Sequence, residues 1–512
     1  MTLLFFAVLP ILWLIVALSG LKMAAWKACP VALLLSLFAS VAYFGMPLDY
    51  MGSAVLEGTA LACWPILLII TATIYTYHLS VHTGGMEIIK AMLNSVSSDY
   101  RVLILLIAFG FGGFLEGMAG FGTAVAIPAS MLAGMGINPV SAVAVCLVAN
   151  FVPSAYGSIG IPLVTLSGIM GTDSAQLATY VALQISLLGL FCPFLMVIIA
   201  GGGFQAIRGM VPVCTAAGLS YVLAQLAVSY FLGPELAGVA GAICTMGAII
   251  GTVRFFPQDN PAYVLQKAEI PTVTQRQAFM AWLPFVLIFI LLLLTSKLVP
   301  TIYDSISQVR TSVLIYRGEG GMPYTFHWIA TPGMVILFAT FVSGFIQKNS
   351  LSDMLDVLRK TLVSLRPTFV TIISIIATAK VMGYSGMTTT IADHTVAATG
   401  MMYPAIAAFI GSVGGFITGS ATSTCILLGK LQMDAAIAIG APLDTQIWIA
   451  AANATGACAG KLIAPQSIAI GVAAIGVAGK GSESQLLALS MKVYLPFILL
   501  LGALVYFGGS LL

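Results

Sequence analysis

The sequence predicts an all-α membrane protein with about twelve transmembrane spans and two re-entrant hairpins, arranged as two inverted-topology repeats with broken helices. The first observation is composition: 60% of the 512 residues are hydrophobic and only 7% are charged, against roughly 25% charged in an ordinary soluble domain. The second is a Gly/Pro pattern that occurs twice along the chain. The third is that the apolar runs have helical length and lack the alternation of a β-barrel.

The duplication rests on five pairs of segments separated by 301 to 303 residues. The sequence ANFVPSAYGSIGIP at 149–162 returns as ANATGACAGKLIAP at 452–465. The other four pairs are Pro65 and Pro367, Gly85-Met86 and Gly386-Met387, Gly112-Gly113-Phe114 and Gly414-Gly415-Phe416, and Pro193-Phe194 and Pro496-Phe497. A duplicated polytopic unit with helix breaks at matching places is typical of secondary transporters.

Apolar runs between charged loops give the individual spans. We predict them near 3–19, 28–45, 59–77, 139–171, 176–200, 211–232, 236–253, 279–297, 326–347, 367–384, 444–479 and 485–511. Segments 101–135 and 402–432 are apolar but interrupted by Gly-rich polar stretches, so each is predicted to enter and leave on one side.

Basic residues concentrate in three loops, around Lys22, between Arg254 and Arg276, and between Lys348 and Arg366. Placing all three loops in the cytoplasm agrees with the span count. The span with Pro65 then runs inward and its counterpart with Pro367 runs outward, so the repeats are predicted to be inverted. The predicted organisation is N-terminal spans at 1–58, a first repeat at 59–200, connecting spans at 201–360 and a second repeat at 361–512.

Each predicted repeat carries two breaks. The first hairpin has six glycines between residues 109 and 128, with Glu116 among them, and such density opens a helix because each glycine costs about 1 kcal/mol relative to alanine. The second break follows from Pro162 and Pro465, which should divide the spans 139–171 and 444–479 into half-helices. Half-helix N-termini converging on one place would hold an anion. The alternative is that these glycines and prolines only permit close helix packing.

Glu116 and Lys461 are the ionisable residues deepest in apolar surroundings, where such groups mark pathways, proton relays or binding sites. Neither is duplicated, because Glu116 aligns with Thr418 and Lys461 aligns with Ser158. We predict that Lys461 pairs with a substrate carboxylate and that Glu116 carries a coupling proton. The alternative is a structural ion pair between them.

The remaining charged residues are assigned to the surface. Lys380, Asp393 and His394 are predicted to be interfacial, and Lys430 with Asp434 are predicted to anchor a hairpin at the interface. His78 and His82 are predicted to lie on a solvated face.

Other candidate substrate-binding residues come from the hairpin tips and the broken segments. They are Gly117, Gly120, Phe121, Asn150, Tyr156, Ser158, Ser420, Thr422, Ser423, Asn453, Gln466 and Ser467. For Asn150, Tyr156 and Asn453, hydrogen bonding from helix to helix is an equal alternative to lining a cavity.

Several stretches together resemble the lactate permease family, which includes glycolate permeases. They are FLEGMAGFGTAVAIP, ANFVPSAYGSIGIP, YSGMTTT, GFITGSATST and GKLIAPQSIAI. The resemblance implies uptake of 2-hydroxymonocarboxylates by proton symport, with the substrate between the hairpin tips and the broken helices. At the second tip the chain departs from the family pattern, with Ala421 at a position that is commonly acidic and Cys425 at a position that is commonly Asn.

The predicted partners are a small carboxylate anion, H⁺ or Na⁺, and the lipid bilayer, in the cell membrane of a prokaryote. The charge distribution gives no nucleic-acid surface, and the eight scattered cysteines give no metal or disulfide spacing, so no cofactor is predicted. A sodium-coupled carboxylate or dicarboxylate transporter of the same fold is the alternative. A channel is disfavoured because paired hairpins suit alternating access, and the sequence has no HExxH or GxSxG motif of an enzyme.

Overall fold

The computed structural model of the chain describes residues 2–21, 23–120, 122–256, 260–265, 273–296, 299–319, 321, 323–475 and 482–509. These residues form helices almost throughout, as their composition predicts. Within the described ranges the strands form a single two-stranded antiparallel sheet, β1 (Arg310–Val313) paired with β2 (Tyr324–His327).

The chain begins with helices that precede the first predicted hairpin. These are α1 (Thr2–Leu14, continued as a π-helix over Ile15–Gly20), α2 (Ala25–Ala42), α3 (Leu48–Leu61), α4 (Leu68–His82) and α5 (Gly85–Asn94). The helices α3 and α4 form one apolar stretch, Leu48–His82, whose junction contains Pro65.

The first hairpin has the predicted interruption. Its first arm comprises α6 (Tyr100–Ile104), a π-helical stretch (Leu105–Phe111) and α7 (Gly112–Met118), and its second arm is α8 (Thr123–Gly134), which packs back against the first. The reversal includes Gly120 and Gly122, whose φ angles of +62° and +87° favour glycine.

The span predicted at 139–171 is broken, as expected. It consists of α9 (Pro139–Phe151), a 3₁₀ turn (Pro153–Tyr156) and α10 (Gly157–Met170), with a bend of 59°. Left-handed backbone at Ser158, Ile159 and Gly160 makes the break, so the interruption comes before Pro162 and not at it. The chain then crosses through α11 (Ser174–Gly201).

The connecting region contributes six further helices. They are α12 (Val211–Leu232), α13 (Pro234–Phe255), α14 (Gln275–Leu294), α15 (Pro300–Ser307), α16 (Pro332–Ile346) and α17 (Leu351–Ser364). The span predicted at 326–347 is wrong at its start, because residues 324–327 pair in the sheet and the helix begins at Pro332.

The second half repeats the order of the first. Its helices are α18 (Arg366–Tyr384), α19 (Met387–Thr399), α20 (Tyr403–Thr418), α21 (Ala421–Ala438), α22 (Leu443–Ile463), α23 (Pro465–Ala474) and α24 (Ser482–Gly508). The second hairpin reverses at Gly419, where φ is +63°, and α22 and α23 meet at a bend of 48° with Pro465 at the start of α23. Both predicted broken spans are therefore confirmed.

In the described part of the chain, ten helices are long and apolar enough to cross a membrane, or up to twelve if each bent pair is counted as one span. The predicted number of about twelve agrees with this range. The protein is a polytopic helical membrane protein.

Packing between the halves is reciprocal. Each contact has a counterpart in which the two halves exchange roles. The contact of α3 with α18 corresponds to that of α17 with α4, the contact of α10 with α21 corresponds to that of α23 with α8, and the contact of α11 with α22 corresponds to that of α24 with α9. The contact of α1 with α19 corresponds in the same way to that of α14 with α5, although α1 and α14 lie outside the predicted repeats. Such exchange is expected of two units related by a pseudo-twofold axis. It supports duplication, while the inverted orientation stays a prediction.

Some glycines serve packing, as the alternative interpretation required. A Cβ at Gly415 would lie 2.2 Å from the backbone oxygen of Ala457, and a Cβ at Gly460 would lie 1.9 Å from that of Ser412. These two glycines let α20 and α22 approach closely. The glycines with left-handed backbone instead make the reversals, so both interpretations hold at different positions.

Candidate functional site

Four interrupted segments meet around one cavity of about 220 Å³. The tips of the two hairpins and the breaks of the two bent helices all contribute to its wall, as the duplicated pattern predicted. Its lining residues are Glu116, Gly120, Gly122, Val125, Asn150, Ser154, Gly157, Ser158, Pro162, Gly419, Ser420, Ala421, Thr422, Lys461, Ser467 and Ile470.

Four helices begin at this cavity, namely α8, α10, α21 and α23. The first-turn N–H groups of a helix have no intrahelical acceptor, and its N-terminus carries partial positive charge. At α21 the Ser420 hydroxyl takes up one of these groups by accepting the N–H of Ser423 at 3.2 Å. The cavity wall is therefore biased towards anions before any charged side chain is considered.

The charged centre of the cavity is an ion pair between Lys461 and Glu116. Lys461 Nζ lies 2.7 Å from Glu116 Oε1, and the side chains are 13% and 3% exposed. Lys461 also donates to the Ser154 hydroxyl at 3.1 Å. The two residues that the sequence singled out are thus in direct contact, as the ion-pair alternative required, and both lie in the cavity wall.

Asn150 completes this cluster. Of its two amide orientations, one satisfies both charged neighbours: Nδ2 donates to Glu116 Oε2 at 3.0 Å, and Oδ1 accepts from Lys461 Nζ at 3.2 Å. The backbone oxygen of Asn150 accepts from the Ser154 hydroxyl at 2.5 Å. The pair is therefore surrounded by neutral hydrogen-bonding groups, which a buried ion pair needs.

Gly157 explains how the carboxylate fits. A Cβ at this position would lie 2.9 Å from Glu116 Oε1, so a larger residue would push the carboxylate away from the break. Ser158 fixes the same region by donating to the backbone oxygen of Ala119 at 2.8 Å, which ties the first break to the first hairpin tip.

Six of the other predicted candidates also line the cavity: Gly120, Asn150, Ser158, Ser420, Thr422 and Ser467. Phe121 lies outside the described residues.

Five predicted candidates lie behind the cavity wall instead. Gly117 packs against Val239, where a Cβ would come within 2.9 Å. The Tyr156 hydroxyl donates to the backbone oxygen of Ala178 at 2.6 Å, which joins the first break to α11. For Tyr156 the helix-to-helix alternative describes the structure.

The other three serve the second half of the molecule in the same way. Asn453 Nδ2 donates to the backbone oxygen of Thr424 at 3.3 Å, and Gln466 Nε2 donates to that of Ile417 at 3.0 Å. Ser423 contributes its N–H to the cap at the start of α21.

Ser154 lines the cavity and contacts Lys461 but was not among the predicted candidates. It follows Asn150 by four positions, which is the spacing that brings two residues to one helix face, so a helical projection of this segment would have found it.

Two residues that were assigned to the interface form ion pairs and join packed helices. Lys380 is only 14% exposed and pairs with Glu57 at 2.7 Å, while the Tyr384 hydroxyl donates to the same carboxylate oxygen at 2.8 Å. Asp434 is buried and accepts from Thr388 at 2.9 Å as well as from Lys430. Both acids bind neighbouring helices together.

His78 also differs from its prediction of a solvated face. Its Nδ1 lies 2.9 Å from the Thr361 hydroxyl of α17. This bond holds α4 to α17 and leaves His82 as the exposed histidine of the pair.

A second cavity of about 490 Å³ lies where α11, α13 and α16 begin. It is larger than the first, yet it contains none of the predicted candidate residues and no contact to the Glu116–Lys461 pair. The smaller cavity is therefore the candidate functional site. Among the described residues, no group of three or more His, Cys, Asp or Glu side chains could hold a metal ion.

A many-helix membrane protein whose paired helix breaks surround a charged cavity has the architecture of a secondary transporter. Comparison with known proteins agrees. The L-lactate permease family model matches residues 4–511. The chain belongs to the L-lactate permease family, so it is a multi-pass transporter of the cell membrane and not an enzyme.

Its relatives include an L-lactate permease of Streptococcus iniae, 42% identical over 84% of this chain and 90% of the relative. The L-lactate permease of Bacillus subtilis is 33% identical over 98% of this chain and 94% of the relative. The glycolate permease GlcA of Escherichia coli is 31% identical over 97% of this chain and 94% of the relative.

Among solved structures, the fold is similar to that of the YdaH transporter of Alcanivorax borkumensis. The TM-score is 0.52 at 15% sequence identity, over 94% of this chain and 98% of that one. At this identity the likeness concerns the fold alone.

Proposed function

We propose that this protein imports small 2-hydroxymonocarboxylates such as lactate or glycolate by proton symport with alternating access. The observation that carries the proposal is the buried pair of Glu116 and Lys461 in the wall of the cavity formed by all four helix breaks. The names of the relatives support lactate or glycolate as the substrate class.

Lys461 is the proposed partner of the substrate carboxylate. Its ammonium is the positively charged side chain of the cavity wall, and its nearest acceptor is the carboxylate of Glu116 at 2.7 Å. A substrate carboxylate that approaches Lys461 therefore competes with Glu116 for the same cation. Protonation of Glu116 removes the competitor, so proton binding favours substrate binding and the converse.

Charge neutrality gives the reason for coupling. The empty site contains one carboxylate and one ammonium, and the site with substrate and proton contains a neutral acid, an ammonium and the substrate carboxylate. Both states have no net charge, whereas substrate or proton alone leaves an uncompensated charge in a poorly solvated cavity, which costs several kcal/mol. In the proposed cycle only the two neutral states change access.

Sodium coupling remains the competing function. The hydroxyls of Ser420 and Thr422 lie in the cavity wall and are oxygen ligands of the kind that Na⁺ takes. The ammonium of Lys461 in the same cavity opposes a second cation there, which favours the proton.

The deciding experiment is uptake by purified protein in liposomes. We expect radiolabelled lactate and glycolate to accumulate under an imposed pH gradient without sodium, and propionate and dicarboxylates to compete weakly. Accumulation that needs a sodium gradient, or that prefers a dicarboxylate, would contradict the proposal.

Glu116→Gln tests the proton carrier itself. Because glutamine resembles the protonated acid, the variant should lose uphill uptake while it retains exchange of substrate between the two sides. Glu57→Gln is a matched control, since Glu57 is also buried and also pairs with a lysine at 2.7 Å, but lies outside the cavity. Uphill uptake by Glu116→Gln at the wild-type rate would place the coupling site elsewhere.

A further inference from the structure

We propose that Asn150 is a positioning residue that transmits the protonation state of Glu116 to Lys461 by reversing its side-chain amide. This inference rests on the proposed proton coupling and adds to it the residue through which the proton on Glu116 affects Lys461. The observation is that Asn150 bridges the two charged residues, with one end of its amide on each.

The geometry allows one amide orientation while Glu116 is ionised. Glu116 Oε1 accepts from Lys461, and Oε2 accepts from Asn150 Nδ2 at 3.0 Å. Asn150 Oδ1 then accepts from Lys461 at 3.2 Å. The reverse orientation would place the amide oxygen against a carboxylate oxygen and the amide nitrogen against an ammonium.

A proton on Glu116 Oε2 changes the requirement. The protonated oxygen becomes a donor, and a donor needs the amide oxygen of Asn150 and not its nitrogen. The amide must then reverse, which turns its N–H groups towards Lys461. Lys461 thereby loses the carboxylate charge and the amide oxygen together, and it keeps as acceptors the Ser154 hydroxyl and the neutral carbonyl oxygen Oε1 of Glu116.

Hydrogen bonds from outside the cluster do not hold the amide in one orientation. Ser154 holds Asn150 through its backbone oxygen and not through its side chain. In the described structure, the Asn150 amide contacts no further hydrogen-bonding group. Reversal therefore breaks no bond outside the cluster.

Few other titratable side chains among the described residues lie near Glu116. The titratable side chains that face Glu116 are Lys461 and the Cys458 thiol from α22 and the Tyr221 hydroxyl from α12. The thiol and the phenol are neutral through the acidic and neutral range. From α13, Gly238 and Val239 face Gly117 and carry no charge. Asn150 is therefore the neutral group that contacts both members of the pair through one amide.

Asn453 provides the internal comparison. It occupies the matching position in the second half, but its Nδ2 donates to the backbone oxygen of Thr424, and its Oδ1 has no partner in the described structure. Among the described residues its amide makes no hydrogen bond to a charged side chain, so the same residue type at the matching position is not expected to respond to a proton.

The test is the affinity for radiolabelled lactate between pH 5 and pH 8, measured by equilibrium binding to the purified full-length protein. Wild type should bind more weakly as the pH rises. In Asn150→Ala the ratio of affinities between these pH values should fall by about tenfold, within the range usual for coupled sites.

Asn453→Ala is the matched control and should keep the wild-type ratio. Asn150→Leu, which keeps bulk and excludes a replacement water, should show the same reduced ratio as Asn150→Ala. An equal loss of affinity at every pH in both Asn150 variants would overturn the switch and indicate direct substrate contact or packing. A wild-type affinity that does not vary with pH would instead overturn the proton coupling itself.

Discussion

Removal of Lys461 should lower both the stability of the protein and its affinity for substrate, for two different reasons. Lys461 donates to Glu116 at 2.7 Å and to Ser154 at 3.1 Å, and the Asn150 amide orientation that satisfies both charged residues adds a third acceptor at 3.2 Å. Lys461→Ala leaves Glu116 buried without its cation, which for a buried pair costs about 3–5 kcal/mol of folding free energy. Because the lysine side chain is 13% exposed and borders a cavity, we expect a value near the lower end, about 3 kcal/mol.

Binding should fall as well, for a different reason. Without the ammonium the substrate carboxylate has no charged partner, and the loss of such a contact costs about 2–4 kcal/mol. This corresponds to a decrease in affinity of roughly 30-fold to 700-fold.

The double variant Lys461→Ala with Glu116→Gln distinguishes the two effects. It contains no unpaired charge, so most of the lost stability should return, while the affinity should stay low. Thermal unfolding in detergent and equilibrium binding of labelled lactate measure the two quantities. Wild-type affinity in the double variant would refute the reasoning, because Lys461 would then only compensate the charge of Glu116.

Three further predictions concern the fold. Single cysteines at His82 and Ser385, on a cysteine-free background, should label from the cytoplasm and from outside respectively; labelling from one side would mean parallel repeats. Gly460→Ala should lower the unfolding temperature sharply, because its Cβ would lie 1.9 Å from a backbone oxygen, whereas Gly52→Ala, with open space around it, should raise stability by up to about 1 kcal/mol. Lys380→Met should destabilise the protein by about 3–5 kcal/mol in thermal unfolding, with unchanged lactate affinity; a loss of affinity would place its pair in the transport path.

The sequence predicted the place of the site because helix breaks are local events. Glycine density around Glu116 and the proline at the start of α23 specify interruptions without any knowledge of tertiary contacts. Duplication then implied that the interruptions belong together. The same reasoning identified Glu116 and Lys461, since a charged residue within an apolar run can be recognised from the sequence alone.

What the sequence did not predict depends on rotation about helix axes and on distant partners. Tyr156 and Gln466 sit in the predicted breaks, but their side chains turn to neighbouring backbone and not to the cavity. The pairing of Lys380 with Glu57 could not be predicted, because the two residues are 323 positions apart in the chain. Neither fact follows from local composition.

The charged pair also explains why the two halves differ where the backbone is duplicated. Thr418 and Ser158, which occupy the matching positions, both donate to backbone oxygens of the hairpin tips, namely those of Ser420 and Ala119. Each half thus supplies a hairpin and a broken helix, but the acid comes from the first hairpin and the lysine from the second broken helix. A motion that separates these two elements must first break the pair or neutralise the acid. In the proposed cycle the empty site changes access with this pair intact, so the two elements move together in that step, and a site with the proton alone is held back by the uncompensated charge of Lys461.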